Sequence, residues 1–189
     1  MRKLGIKKWV ALSLNQIVKN NNASLHELTY LFWECTLRCN HACLHCGSDC
    51  TKDNAVKDMP LKDFLSVIDD ITPHVNPNKL TIGLTGGEPL LRNDLETCGL
   101  ELYKRGYPWG FVTNGYLLNE KKLTGLLDSG LRTVTISLDG LEANHNWLRG
   151  ISNGFPKTVN AIHLVAETER LVYDVVTCVN QSNINELPE

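Results

Sequence analysis

Five runs of strand-forming residues alternate with helical patterns along the 189-residue chain, and this alternation limits the fold more than any other feature. Residues 28–34, 80–85, 109–113, 133–139 and 171–179 carry the strand signal. Between them, Leu61, Phe64, Leu65 and Ile68 share one helical face behind Pro60, and Leu91, Leu95, Cys98 and Leu102 share another ahead of Gly106. Asn119 offers a cap for a helix bearing Leu123, Leu126 and Leu127, with Gly130 as its stop. Pro156 opens a last helix with Val159, Ile162 and Ala166 on its apolar face. Such alternation predicts parallel strands joined by crossover helices.

An open doubly wound sheet and a barrel-like sheet both satisfy that order. The fourth strand favours the barrel. Val134, Ile136 and Leu138 point one way, while Thr135, Ser137 and Asp139 point the other. A polar face suits a solvent-filled lumen and not a helix layer. The expected fold is therefore α/β, a partial barrel-like parallel sheet of about five βα units. Its active site would lie at the C-terminal ends of the strands.

The N-terminal stretch reads as a separate piece. Arg2, Lys3, Lys7 and Lys8 precede an apolar run, as in a signal peptide, but Asn15 and Gln16 interrupt it and no clear cleavage site follows. Val10, Leu14, Ile17 and Val18 instead fall on one face of an amphipathic helix. Asn20, Asn21 and Asn22 suggest a break after it. Residues 1–27 are thus read as a helix and linker, and residues 28–189 as the core domain. No run is long enough to span a bilayer, and a net charge of −2 gives no broad basic surface for nucleic acid.

Five of the seven cysteines fall within sixteen residues: Cys35, Cys39, Cys43, Cys46 and Cys50. Such crowding favours metal ligation over a disulfide framework, which places the chain in a reducing, cytoplasmic compartment. The inner three form a C-x3-C-x2-C run. Three thiolates on one loop suit a [4Fe–4S] cluster with one iron left open. Structural zinc is the rival, with Cys35, Cys50, His41 or His45 as a fourth ligand, although no second pair follows downstream. Inert buried thiols are a poorer reading, because Asn40, His41, His45, Ser48 and Asp49 make the loop polar.

The second signal is Thr85-Gly86-Gly87-Glu88-Pro89, between a strand and a helix. Paired glycines permit unusual backbone angles and the close approach of a ligand. Glu88 offers a carboxylate suited to an ammonium group. The bland alternative is a strand–turn with a solvated glutamate.

Together, Cys39-x3-Cys43-x2-Cys46 after a first strand and Gly86-Gly87-Glu88-Pro89 after a second resemble the radical S-adenosylmethionine (radical SAM) enzymes. Leu37-Arg38-Cys39-Asn40, Leu84-Thr85-Gly86-Gly87-Glu88-Pro89-Leu90, Val112-Thr113-Asn114-Gly115, Ser137-Leu138-Asp139-Gly140, His145 and Arg149-Gly150 are similar to the peptide- and sulfatase-modifying branch, whose members often carry a C-terminal SPASM or twitch domain. The resemblance covers residues 28–180.

The resemblance implies that Cys39, Cys43 and Cys46 ligate a [4Fe–4S] cluster and that SAM chelates its open iron. Gly86, Gly87 and Glu88 would receive the SAM amino group, Ser137 and Arg149 the ribose and carboxylate. Asn114 and Asp139 are further candidates for the same pocket, and His45 would lie near adenine. The implied chemistry is reductive cleavage of SAM to a 5′-deoxyadenosyl radical that takes hydrogen from a peptide or protein. A one-electron donor such as a flavodoxin or ferredoxin would feed it. Asn114-Gly115 as a plain turn and Arg149 as a surface charge are the competing readings. A non-catalytic iron–sulfur or SAM-binding module is the rival function. Cys35 and Cys50 are not needed by the pattern. The resemblance also implies six βα units where the sequence shows five, so the core is expected to be truncated before the sixth strand.

Overall fold

The computed structural model describes residues 5–25 and 27–187. Arg2 and Lys3 lie outside the described residues. In chain order the elements are α1 (Ile6–Leu25), β1 (Tyr30–Thr36), α2 (Leu61–Ile71), β2 (Thr81–Gly86), α3 (Leu95–Lys104), β3 (Trp109–Thr113), α4 (Glu120–Asp128), β4 (Leu131–Ser137), α5 (Glu142–Arg149), α6 (Gly154–Ala166) and β5 (Val172–Val176).

All five strands are parallel and run in the order β1-β2-β3-β4-β5. An order that never reverses, with right-handed crossovers, gathers the connecting helices on one face and leaves the other as an inner face. Trp33, Ile82, Leu84, Trp109, Phe111, Val134 and Ile136 fill the helix side and join Phe64, Ile68, Leu102, Leu126 and Val165 in one buried core. Two close approaches fix the layer spacing. Gly99 of α3 lies under the Trp109 ring, where a Cβ would stand 2.0 Å from it. Trp109 donates its ring N–H to the Ser129 carbonyl at 3.0 Å.

The inner face is more open. Register places Glu34 beside Thr85, Gly110 beside Thr133, and Thr135 beside Asp174. Thr135 donates to the Asp174 carboxylate at 2.7 Å. Burial, with the Asp174 charge added, raises the Tyr30 hydroxyl pKa. This is the α/β, barrel-like parallel sheet that the alternation predicts.

Four details differ from the sequence reading. Helix α1 runs through Asn20, Asn21 and Asn22. Asparagine lowers helix propensity by well under about 1 kcal/mol, and neither Gly nor Pro interrupts the segment. Its expected face of Val10, Leu14, Ile17 and Val18 is exposed. Helix α5 went unpredicted, because its face is mostly polar. Helix α6 buries Thr158, Ala161 and Val165, whereas Val159 and Ile162 are only half-buried and Ala166 is exposed. The smaller face wins because it packs on the turn at Gly115, where an added Cβ would stand 3.2 Å from both Ala161 and Thr158.

Candidate active site

The chain leaving β1 forms the cysteine loop, and the loop is clasped at its base. Cys39 donates its backbone N–H to the Thr51 carbonyl at 3.0 Å, and Thr51 donates to Leu37 at 3.2 Å. Arg38 and Thr51 form an isolated parallel bridge. The clasp turns Cys50 back beside the start of the loop.

The exit of β2 is sewn to the same place. Gly87 N–H reaches the Thr36 carbonyl at 2.7 Å, and Glu88 N–H reaches Arg38 at 2.9 Å. These short bonds need glycine. A Cβ on Gly86 would meet the Thr36 oxygen at 2.1 Å, and one on Gly87 would meet the Arg38 oxygen at 2.1 Å. Gly86 also sits at φ +126°, a region that side chains avoid.

At the strand ends lies a cavity of about 240 Å³, lined by Cys39, Cys43, Cys46, Cys50 and His45 from the loop, Thr85 and Gly86 of β2 with Gly87 just beyond it, Val112 and Thr113 of β3 with Asn114 just beyond it, Ser137 from β4 and Arg149 from α5. A larger cavity of about 430 Å³ lies elsewhere, around Ile71, His74 and Lys79. It holds none of the motifs, so the smaller one is the candidate site.

The thiols differ in exposure. Cys39 is buried, Cys43 and Cys50 half-buried and Cys46 exposed. Burial is the main cause raising the Cys39 and Cys43 thiol pKa values; Arg149 opposes it at Cys43. Burial, then the Cys46 and Cys39 charges, pushes Cys50 up to about 12. Metal coordination reverses such preferences by deprotonating the thiol outright. Among the described residues no three His, Cys, Asp or Glu side chains converge as a single metal ion requires. The donor set fits the [4Fe–4S] group: three thiols from a clasped loop share one cavity with a side-chain-free glycine wall.

Cys35 is fully buried in the core on the helix side of β1, and burial pushes its thiol up to about 12. It does not line the cavity.

Glu88 is also fully buried, which removes the solvated-turn alternative. Its carboxylate accepts from Leu90 N–H at 3.1 Å, Thr113 Oγ1 at 2.9 Å and Asn114 N–H at 2.9 Å. Burial still raises its pKa to about 7, against these stabilising bonds. Glu88 thus lies behind the cavity wall and ties the β2 exit to the β3 exit. Asn114 is more than a turn. Its side chain donates to Asn40 Oδ1 at 2.8 Å, and its carbonyl accepts from Thr158.

Arg149 is no surface charge. Its side chain is 12% exposed, with Nε 2.6 Å from Asp139 Oδ2. The contact is an ion pair without hydrogen-bond alignment. Arg149 Nη1 also lies 3.9 Å from the Cys43 sulfur. Asp139 is fully buried; its other oxygen accepts from Cys178 N–H at 2.8 Å, and His45 Nε2 stands 3.7 Å from Oδ2. His145 is buried as well and accepts the Asp139 N–H at Nδ1, at 3.2 Å. Asp139 and His145 therefore support Arg149 from outside the cavity, while Ser137 and His45 line it directly. Cys50, Thr113 and Asn40 are the participants that sequence reasoning left out of the site. The C-x3-C spacing from Cys46 was the available signal for Cys50.

The sequence profile of the Radical SAM superfamily matches residues 33–189. Fe-coproporphyrin III synthase of Methanosarcina barkeri (strain Fusaro) is 27% identical over 156 residues, which cover 82% of this chain and 38% of that protein. Among solved structures, anSMEcpe with bound AdoMet superposes with a TM-score of 0.69 at 20% identity, over 84% of this chain and 46% of that one. SuiB of Streptococcus suis bound to precursor peptide SuiA gives 0.67 at 17% identity, over 92% and 40%. At these identities the structural likeness establishes the fold. The chain spans under half the length of each of these three proteins.

Proposed function

Because the chain belongs to the radical SAM superfamily, whose members use a [4Fe–4S] cluster and SAM, we propose that its strand-end cavity binds both and cleaves SAM reductively. The carrying observation is the shared cavity: Cys39, Cys43, Cys46, Gly86 and Gly87 line one space although the sequence separates the two motifs by about forty residues. When bound, the cluster and SAM together supply a 5′-deoxyadenosyl radical for hydrogen abstraction, chemistry that the polypeptide cannot supply itself.

The chain's own residues position and shield. Cys39, Cys43 and Cys46 hold the cluster. Gly86 and Gly87 let the backbone approach the SAM amino group. Glu88 acts with them by fixing the backbone of Leu90 and Asn114, its carboxylate being taken up by protein donors. Arg149, aimed by Asp139, meets the SAM carboxylate, and Ser137 the ribose. His45 and Asn114 border the nucleotide. The hydroxyls and glycines of the inner face leave room for a substrate above them.

The substrate class we assign is a peptide or protein. Its supports are the branch motifs around Cys39 and Glu88 and the likeness to SuiB, solved with a precursor peptide. A flavodoxin or ferredoxin would supply the electron in the cytoplasm. No helix among the described residues is long and apolar enough to cross a membrane. Residues 28–189 act as one unit, and residues 1–27 as an appendage to it.

Anaerobic reconstitution tests the reading. Iron–sulfur absorption with dithionite-dependent release of 5′-deoxyadenosine is expected, and Cys43→Ala should abolish both. A cluster without that release would leave only a binding module. Stoichiometric zinc without iron would overturn the assignment.

A further inference from the structure

Four cysteines, not three, line the candidate site. The fourth is placed there by backbone geometry. The Thr51 hydrogen bonds to Leu37 and Cys39 fold the loop back on itself. Cys50, one residue before Thr51, is thereby carried back to the cavity that Cys39 and Cys46 line. It is half-buried and lines the same cavity as Cys39, Cys43 and Cys46. Cys35, by contrast, faces the core on the far side of the sheet. The two extra cysteines of the motif therefore have different fates, and only Cys50 can reach a group held by the other three.

We propose that Cys50 is a reserve ligand: it donates its thiolate to the iron that Cys39, Cys43 and Cys46 leave bare, and releases it when SAM arrives. This rests on the cluster-binding reading above. The exchange is not a redox step. The Fe–S bond to Cys50 breaks with both electrons staying on sulfur, and the amino and carboxylate groups of SAM take the vacated iron. The chain gains a guard. A site-differentiated cluster with one exposed iron is prone to lose that iron on oxidation, whereas a fourth thiolate completes the coordination usual for such clusters.

The experiment uses the reconstituted full chain without substrate. Ferricyanide is titrated in, and the [3Fe–4S] signal is followed by electron paramagnetic resonance. Without SAM, Cys50→Ala and Cys50→Ser should convert about tenfold more cluster than wild type, the scale on which groups around a metal site alter its hold. With SAM bound the three proteins should converge. Equal conversion in wild type and both variants without SAM overturns the proposal. Mössbauer spectra of unmutated protein give a test that does not depend on variant folding. Four sulfur-ligated irons without SAM, one of them changed by SAM, are expected; a distinct iron already present without SAM overturns it. A wild-type chain that loads no cluster sinks the broader reading instead, which keeps the two failures separate.

Discussion

Arg149 Nε stands 2.6 Å from Asp139 Oδ2, so the last residue of α5 is locked to the first turn beyond β4. Both side chains are withdrawn from water, Asp139 completely. Removing one partner of such a pair strands the other charge. Arg149→Ala should therefore lower the unfolding free energy by about 3 kcal/mol, at the low end of the range for broken buried pairs. Urea denaturation of Arg149→Ala, Asp139→Ala and the double variant checks this. The double variant should lose less than the sum of the singles.

Glu88→Ala leaves three buried donors without an acceptor. A loss of about 3 kcal/mol is expected, given about 1–3 kcal/mol for each stranded group and partial relaxation. SAM affinity should fall while iron content stays near wild type; unchanged affinity by calorimetry would count against a positioning role. The pH dependence has a definite sign. Glu88 has a folded pKa of about 7 against an ordinary 4.5. Its contribution to stability is full below pH 4.5 and is lost as pH rises through 7. The difference between wild type and Glu88→Gln should decline across that window and level off above it.

Gly87→Ala tests the seam between the two motifs. The new methyl group would press on the Arg38 carbonyl, which already accepts the Glu88 N–H. Relieving the clash must push the cysteine loop away from β2. A stability loss of about 1–3 kcal/mol is expected from overpacking, together with reduced iron loading measured by colorimetric assay. Full loading in a stable variant would show that the two strand ends move independently.

His145 makes acid the more damaging condition on its side of the site. Burial, with the Arg149 charge added, lowers its pKa to about 4 from 6.5. The stability tied to the neutral ring is present above pH 6.5 and is lost as pH falls toward 4, by up to about 3 kcal/mol. His145→Gln should flatten that acid limb. Stability curves measured at stepped pH will show a smaller slope in the variant if the burial of a neutral imidazole is the cause.

The strands were the most legible part of the chain. Trp109–Thr113 stands where its composition put it, because a buried strand needs bulky residues and a helix layer to receive them. The fourth strand ends earlier than its alternation, at Ser137. Leu138 and Asp139 continue the pattern past the strand's end, and Leu138 N–H still reaches the Val176 carbonyl at 3.0 Å before the chain bends at Gly140. The cysteine and glycine motifs were legible because metal and backbone constraints act over a few neighbouring residues. The buried posture of Glu88 was not, since two of its three donors come from Thr113 and Asn114, at the end of another strand. The same holds for Cys50, whose position depends on Thr51 meeting Leu37 across the loop. Helix α5 was hidden by its polarity: only His145 and Leu148 of its eight residues are buried.

The Thr51 clasp alters how the site must be thought of during maturation. Gathering distant groups around an inorganic core ordinarily costs chain entropy at the moment of capture. Here two main-chain bonds have already closed the ring of residues. Under the proposed function, a cluster bound there would be received by a loop whose base the backbone closes, so less of that cost falls on the cysteines.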